Sequence, residues 1–314
     1  MLSNNLRGAL WITLSGVVAT VMSSGIKSLD GEIQSMQIAF MRCALGVLFV
    51  LPLVFGRHIR ENMGLPPGET ISLRSRMHLS PRWPLHVIRG LLAAAAINCG
   101  YYAISQMPLA TVTVIFFTAP LFVTFLAVPF LGEQVGWRRW CATGVGFCGT
   151  LIVMGPGSGQ FELPALVALG SSLLFACALV IGKKLSTTEA PSTMLLYTTC
   201  ITALGSLPLA LTVWITPSWE QMGFIALITF FATGRTYSDI RAYAVGEASF
   251  VAPFTYVRLI FMSLAGFFFF AEVPQPTALL GGGVIIASAL YIARREAARK
   301  RALSRRPFVG PSPD

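Results

Sequence analysis

The 314-residue sequence predicts an all-α membrane protein of ten transmembrane helices, arranged as two inverted five-helix repeats. Three observations carry that expectation. Apolar runs of bilayer length recur along the chain, positive charge collects at one set of connections, and residues of the first half return in the second at constant offsets. The composition agrees: 54% of residues are hydrophobic and 11% charged, against roughly 25% charged in a soluble domain. A soluble fold needs polar helix faces, and these runs have almost none.

A helix crosses a bilayer in about 20 apolar residues. By that measure the spans run 8–29, 33–56, 84–106, 109–131, 137–155, 161–185, 191–214, 219–243, 247–272 and 276–293. The first follows Arg7 and lacks a small-residue cleavage site, so it reads as a retained helix and not a signal peptide. The second leads into a basic loop, 57–83. The connection Gln106-Met107-Pro108 is too short for anything but an antiparallel turn between the third and fourth. Pro120 and Pro129 interrupt the fourth and Pro253 the ninth, as hinges or as sources of free carbonyls. Gly144, Gly146 and Gly149 in the fifth, and Gly281, Gly282 and Gly283 in the tenth, favour close helix contact.

Charge orients the array. With a cytoplasmic N-terminus, the inner side holds Arg7, Arg57, Arg60, Arg74, Arg76, Arg82, Arg138, Arg139, Lys183, Lys184, Arg241 and the tail from Arg294 to Arg306. The outer side holds Asp30, Glu32, Glu162, Glu220 and Glu272, with Lys27 the one nearby cation. This is the positive-inside pattern, so the net charge of +10 is a membrane signal and not a nucleic-acid one. The basic tail, 294–314, suits anionic lipid headgroups.

At an offset of 156, Ser15 meets Ser171, Lys27 meets Lys183, and Leu51-Pro52-Leu53 meets Leu207-Pro208-Leu209. Beyond the long first-half loop the offset is 138, pairing Ala110 with Ala248, Phe116 with Phe254 and Leu121 with Leu259. It then becomes 139, pairing Glu133 with Glu272 and Gly144 with Gly283. The repeats span 8–155 and 161–293. Five is odd, so the second copy enters the membrane from the opposite side, the arrangement of many secondary transporters.

The stretches MPLATVTVIFFTAPLFVTFLAVPFLGE (107–133), WRRWCATGVGFCGTLIVM (137–154) and GEASFVAPFTYVRLIFMSLAGFFFFAEVP (246–274) resemble the EamA-type repeats of the drug/metabolite transporter superfamily. The likeness covers residues 8–296. It implies a multi-pass carrier of the bacterial inner membrane, with ten helices around a central cavity and no ATPase domain, and no GxxxxGK[ST] loop occurs. It also gives spans five and ten a packing or dimer role, which leaves a homodimer open. Span eight departs from the family in reading ATGRTYSDIRAY, with Arg235, Asp239 and Arg241 where apolar or small neutral residues are frequent.

Arg258 is the anomaly, since an ion in mid-membrane is costly unless it faces protein or water. With Arg42 it suits the carboxylate or phosphate of a substrate; for Arg42 a structural bond to carbonyls is an equal reading. Asn98, Tyr101, Tyr102, Phe117 and Tyr256 are candidate walls of an aromatic cavity, against the plainer reading as packing residues. Asp239, one turn from Arg235, is either half of a structural ion pair or a carboxylate that couples transport to protons. Arg89 marks the boundary of span three by snorkelling. The run Phe267–Phe270 packs or faces lipid.

Cys43, Cys99, Cys141, Cys148, Cys177 and Cys200 lie in apolar spans without CxxC spacing and read as buried small hydrophobes. His58, His78 and His86 lie in or beside the basic loop without zinc-site spacing, so no metal or other cofactor is expected. The expectation is a secondary transporter of a small organic metabolite, amino-acid-, vitamin- or nucleoside-like, with a carboxylate or phosphate beside an apolar part. Protons and membrane lipids are its other partners. The same family pattern serves exporters of amino acids, metallophores or drug-like compounds, and a passive channel or scaffold is a more remote reading. An intramembrane enzyme would need a nucleophile and base at membrane depth, which the composition lacks.

Overall fold

A computed structural model describes residues 4–29, 31–63, 80–132, 137–154, 163–189, 191–245 and 251–304. The helices are α1 (Asn4–Ser28), α2 (Ser35–Met63), α3 (Trp83–Gln106), α4 (Leu109–Phe116 and Ala119–Leu131), α5 (Trp137–Met154), α6 (Leu163–Leu185), α7 (Pro191–Thr212), α8 (Trp219–Val245), α9 (a 3₁₀ turn Ala252–Tyr256 and then Val257–Phe270) and α10 (Pro276–Ser304). Segments of α1, α3, α4, α6 and α7 are long and apolar enough to cross a membrane, and shorter apolar stretches lie in α2, α5, α9 and α10. The charged residues Glu220, Arg235, Asp239 and Arg241 lie along α8. Glu133 and Glu162 lie outside the described residues.

Helix partners follow the inverted repeat. The most extensive contacts join α1 to α8 and α6 to α3, the same pair exchanged between halves; α2 packs on its mate α7 and α5 on its mate α10. The apolar core draws on both halves, with Ile26, Ile38, Leu109 and Ile115 against Ile225, Met262 and Ile285. Phe267, Phe268 and Phe269 point outward, which fits a lipid-facing run.

Both interrupted helices break at matching places. In α4 the turn at Phe117 and Thr118 precedes Pro120, which has no N–H to continue the ladder, and Thr118 Oγ1 donates to the Ile115 carbonyl at 2.6 Å. The 138 offset carries these positions to Thr255 and Tyr256, the end of the 3₁₀ turn of α9 that contains Pro253. Beyond the breaks, α4 stops at Gly132 (φ 66°) and α9 at Ala271 (φ 52°), equivalent in the repeat and both left-handed. An alanine there costs about 1–2 kcal/mol.

Close contact at α5–α10 uses some of the glycines and not others. A Cβ on Gly281 would stand 2.5 Å from the Gly149 carbonyl, and one on Gly149 2.9 Å from the Gly281 carbonyl. Gly144 and Gly283 have nothing within 4 Å, so the expectation of close contact is corrected for this repeat pair. One other reading changes as well: Cys141 and Cys148 are exposed while Cys43 is buried. His86, beside the basic loop in sequence, is buried on α3 and stacked 4.5 Å from the Tyr197 ring. Gly281→Ala is expected to destabilise the protein by about 1–3 kcal/mol through backbone displacement, while Gly144→Ala leaves the detergent-solubilised melting temperature unchanged or higher.

Candidate functional site

Arg258 is the second residue of the α-helical part of α9, directly past the break, and its Nε is buried without a hydrogen-bond partner. Space for its stem comes from Gly16 on α1, where a Cβ would sit 3.4 Å from Arg258 Cβ. Beside Gly16, Ser15 Oγ donates to Asp239 Oδ1 at 2.5 Å. Arg235 Nε lies 3.7 Å from the other Asp239 oxygen, so α8 presents the ion pair that its four-residue spacing predicts. Both Arg235 and Asp239 are within electrostatic range of Arg258. The acid that sequence spacing on α9 could not supply therefore comes from α8.

Arg42 on α2 faces the Tyr101 hydroxyl of α3, a buried group short of a well-formed hydrogen bond. Arg235 lies within range of Tyr101 as well and joins the two clusters. Among the described residues the centre thus holds three guanidinium groups and one carboxylate, an excess of positive charge among apolar helices. Phe117 and Tyr256, at the breaks of α4 and α9, meet edge to face at 5.0 Å. The two discontinuities face each other.

The remaining expected site residues lie on α3 and α4. Asn98 is buried and its amide donates to the Ala94 carbonyl and to Ser206 Oγ, each at 2.8 Å, which ties α3 to α7. Tyr102 is half-buried, one position around α3 from Tyr101. Pro120 is exposed at the start of the second segment of α4. Arg89 NH1 donates to the Met194 carbonyl at 3.3 Å, so its guanidinium ends on the first turn of α7.

Two groups have no signal in local spacing. His86 Nε2 lies 4.0 Å from Glu189, which also accepts from Ser80 Oγ, and the Ser80 amide donates to the Tyr197 hydroxyl at 3.2 Å. Lys27 and Glu272 pair at 2.6 Å. The repeat offsets mark Lys27 and Glu272 as related to Lys183 and Glu133, but not as neighbours. A groove of about 400 Å³ lies elsewhere, between α5 and α10, lined by Trp137, Val145, Ser288 and Tyr291 among others. Its walls come from those two helices alone, which separates it from Arg258.

Inverted five-helix halves around a charged centre at facing helix breaks define a membrane transporter. The EamA-like transporter family matches residues 6–155 and 163–294, one copy in each half, and the chain belongs to that family. Among its relatives, an S-adenosylmethionine uptake transporter of Rickettsia felis is 30% identical over 305 residues, 97% of both chains. A riboflavin transporter of Vibrio cholerae is 29% identical, covering 94% of this chain and 96% of the relative. A pseudopaline exporter of Pseudomonas aeruginosa is 25% identical, covering 91% and 96%. One solved crystal structure shares the fold, with a TM-score of 0.59 at 15% identity over 94% of this chain and 98% of that one.

The Ser15–Asp239 bond ties α1 to α8. Ser15→Ala is expected to lower unfolding free energy by about 1.5 kcal/mol, the low end for a bond to a charged group, because Asp239 is 35% exposed. Thermal unfolding of the purified variant measures it.

Proposed function

We propose that this protein is a secondary carrier of the inner membrane, with both termini cytoplasmic, that takes up a metabolite combining an anionic group with an aromatic ring system. One observation supports this most: Arg258 places a buried, unpartnered Nε at the facing helix breaks, in a centre where, among the described residues, positive charge exceeds negative. A buried donor of that kind is stabilised by an anion, and the planar guanidinium fork matches a carboxylate or phosphate. Phe117 and Tyr256 stand at the same breaks as partners for a ring. S-adenosylmethionine, the substrate in one relative's name, carries a carboxylate and an adenine; riboflavin, in another's, is aromatic and becomes anionic as its 5′-phosphate. The carrier works by alternating access, with ligand shifting the balance of two conformations through differential affinity. An export reading rests on the pseudopaline exporter match; accumulation into or out of oriented vesicles distinguishes the two.

Thermal-shift titration with S-adenosylmethionine, riboflavin and riboflavin 5′-phosphate is the direct test, since a ligand of the folded state raises its apparent stability. Arg258→Gln is expected to weaken binding of the anionic probe by about 10- to 100-fold with folding retained. Unchanged affinity removes Arg258 from the site.

Asp239 is proposed as the coupling carboxylate, held between Ser15 and Arg235. Asp239→Asn is expected to abolish pH-driven accumulation of the labelled substrate and to leave exchange intact. Persistence of pH-driven uptake assigns Asp239 to structure alone.

A further inference from the structure

We propose that Lys27 and Glu272 form a latch that closes one end of the transport pathway and parts in each cycle. The inference rests on the alternating-access reading above. Lys27 ends α1 and Glu272 follows α9, so the pair, 2.6 Å apart, joins one repeat to the other with no covalent tie nearby. Both charges have a second partner in the turn between α3 and α4. Lys27 Nζ donates to the Met107 carbonyl at 2.6 Å, and the Leu109 amide donates to Glu272 Oε2 at 2.8 Å. Lys27 also lies 5.7 Å from the centroid of the Phe270 ring.

The side chains are 15% and 13% exposed. A pair so shielded attracts strongly while dry and weakly once water enters, so opening that end weakens the contact that closes it. Local backbone geometry points the same way. Ala271 holds a left-handed conformation (φ 52°), and that turn folds the Glu272 carboxylate back over Gly266, where a Cβ would lie 2.5 Å from Oε2. Strained backbone at a contact between moving halves is a feature of switching segments. The repeat register supplies Lys183 and Glu133 as the sequence counterparts of this pair in the other half of each helix set. The chain therefore carries the same two charge types at both symmetry-related positions.

The test needs no ligand. In a background with the six native cysteines replaced, spin labels are placed at Gln34 and Val273, exposed positions at the latch end, and in a separate protein at Phe130 and Ser186, exposed positions at the opposite end. Distances are measured in lipid nanodiscs for the native pair and for two nearly isosteric neutral variants, Lys27→Met and Glu272→Gln. Each variant is expected to raise the ratio of longer to shorter Gln34–Val273 distances about tenfold, the change that follows loss of one charged hydrogen bond. The Phe130–Ser186 pair is expected to shorten in step. Longer distances at the latch end with no change at the other end support the latch and overturn the coupled rocking of the halves. If the distance distribution stays as in the native protein while the melting temperature falls in either folded variant, the pair is a static staple and the latch is overturned.

Discussion

Positive charge buried in an apolar bundle is the constraint that the rest of this structure serves. Arg258 cannot be left against lipid, so α1 gives it a glycine, Gly16, for close passage, and α8 brings Arg235 and Asp239 to the same depth. Among the described residues, one carboxylate among three guanidiniums does not neutralise the centre, and a buried ion is tolerated only with compensation. The charged residues of α8 at the centre answer this need. The serine on α1 serves it as well, its hydroxyl satisfying the Asp239 oxygen that faces away from Arg235.

Symmetry explains the scaffold and fails to explain the chemistry, and the two can be separated residue by residue. Ser15 on α1 reaches α8, and its repeat mate Ser171 on α6 reaches the Ala96 carbonyl of α3 at 2.8 Å, across the equivalent interface. The serine thus belongs to the duplicated framework. Extending the 138 offset into α3 places Tyr101 opposite Asp239, and the same offset places Pro120 opposite Arg258. A phenol and a helix breaker stand where the second half has an acid and a base. The Arg258–Asp239 part of the charged centre therefore belongs to the second half alone, without a charged counterpart at the matching positions of the first.

What the sequence made legible was what repeats locally or at fixed offset. The fourth span was bounded at 109–131, and α4 runs Leu109–Leu131 because its turn Gln106-Met107-Pro108 and its long apolar run leave no other choice. The Arg235–Asp239 pair was readable from helical spacing. Contacts between distant helices were not. Arg258 has no acid on its own helix, and no period in the chain announces that Asp239 comes to it from α8. His86 stands beside a basic loop in sequence, and nothing local announces that Tyr197 and Glu189, from the region of α7, meet it. Asn98 has the composition of a cavity wall, but its amide goes to Ser206, a partner 108 residues away.

The facing breaks connect the centre to the ends by simple leverage. Beyond its break, α9 continues for 14 residues to Ala271, and α4 continues for 13 to Gly132; at about 1.5 Å per residue each arm is roughly 20 Å long. A rotation of roughly 10° at the break then moves its tip by about 3–4 Å, enough to part an ion pair 2.6 Å long. Because the repeat is inverted, the two arms point to opposite ends, and the Phe117–Tyr256 contact sits where both begin. The arms are unequal in one respect: Gly132 takes its left-handed cap without strain, while Ala271 does not. The end held by Lys27 and Glu272 is therefore the one whose closed geometry stores strain and whose charges must offset it.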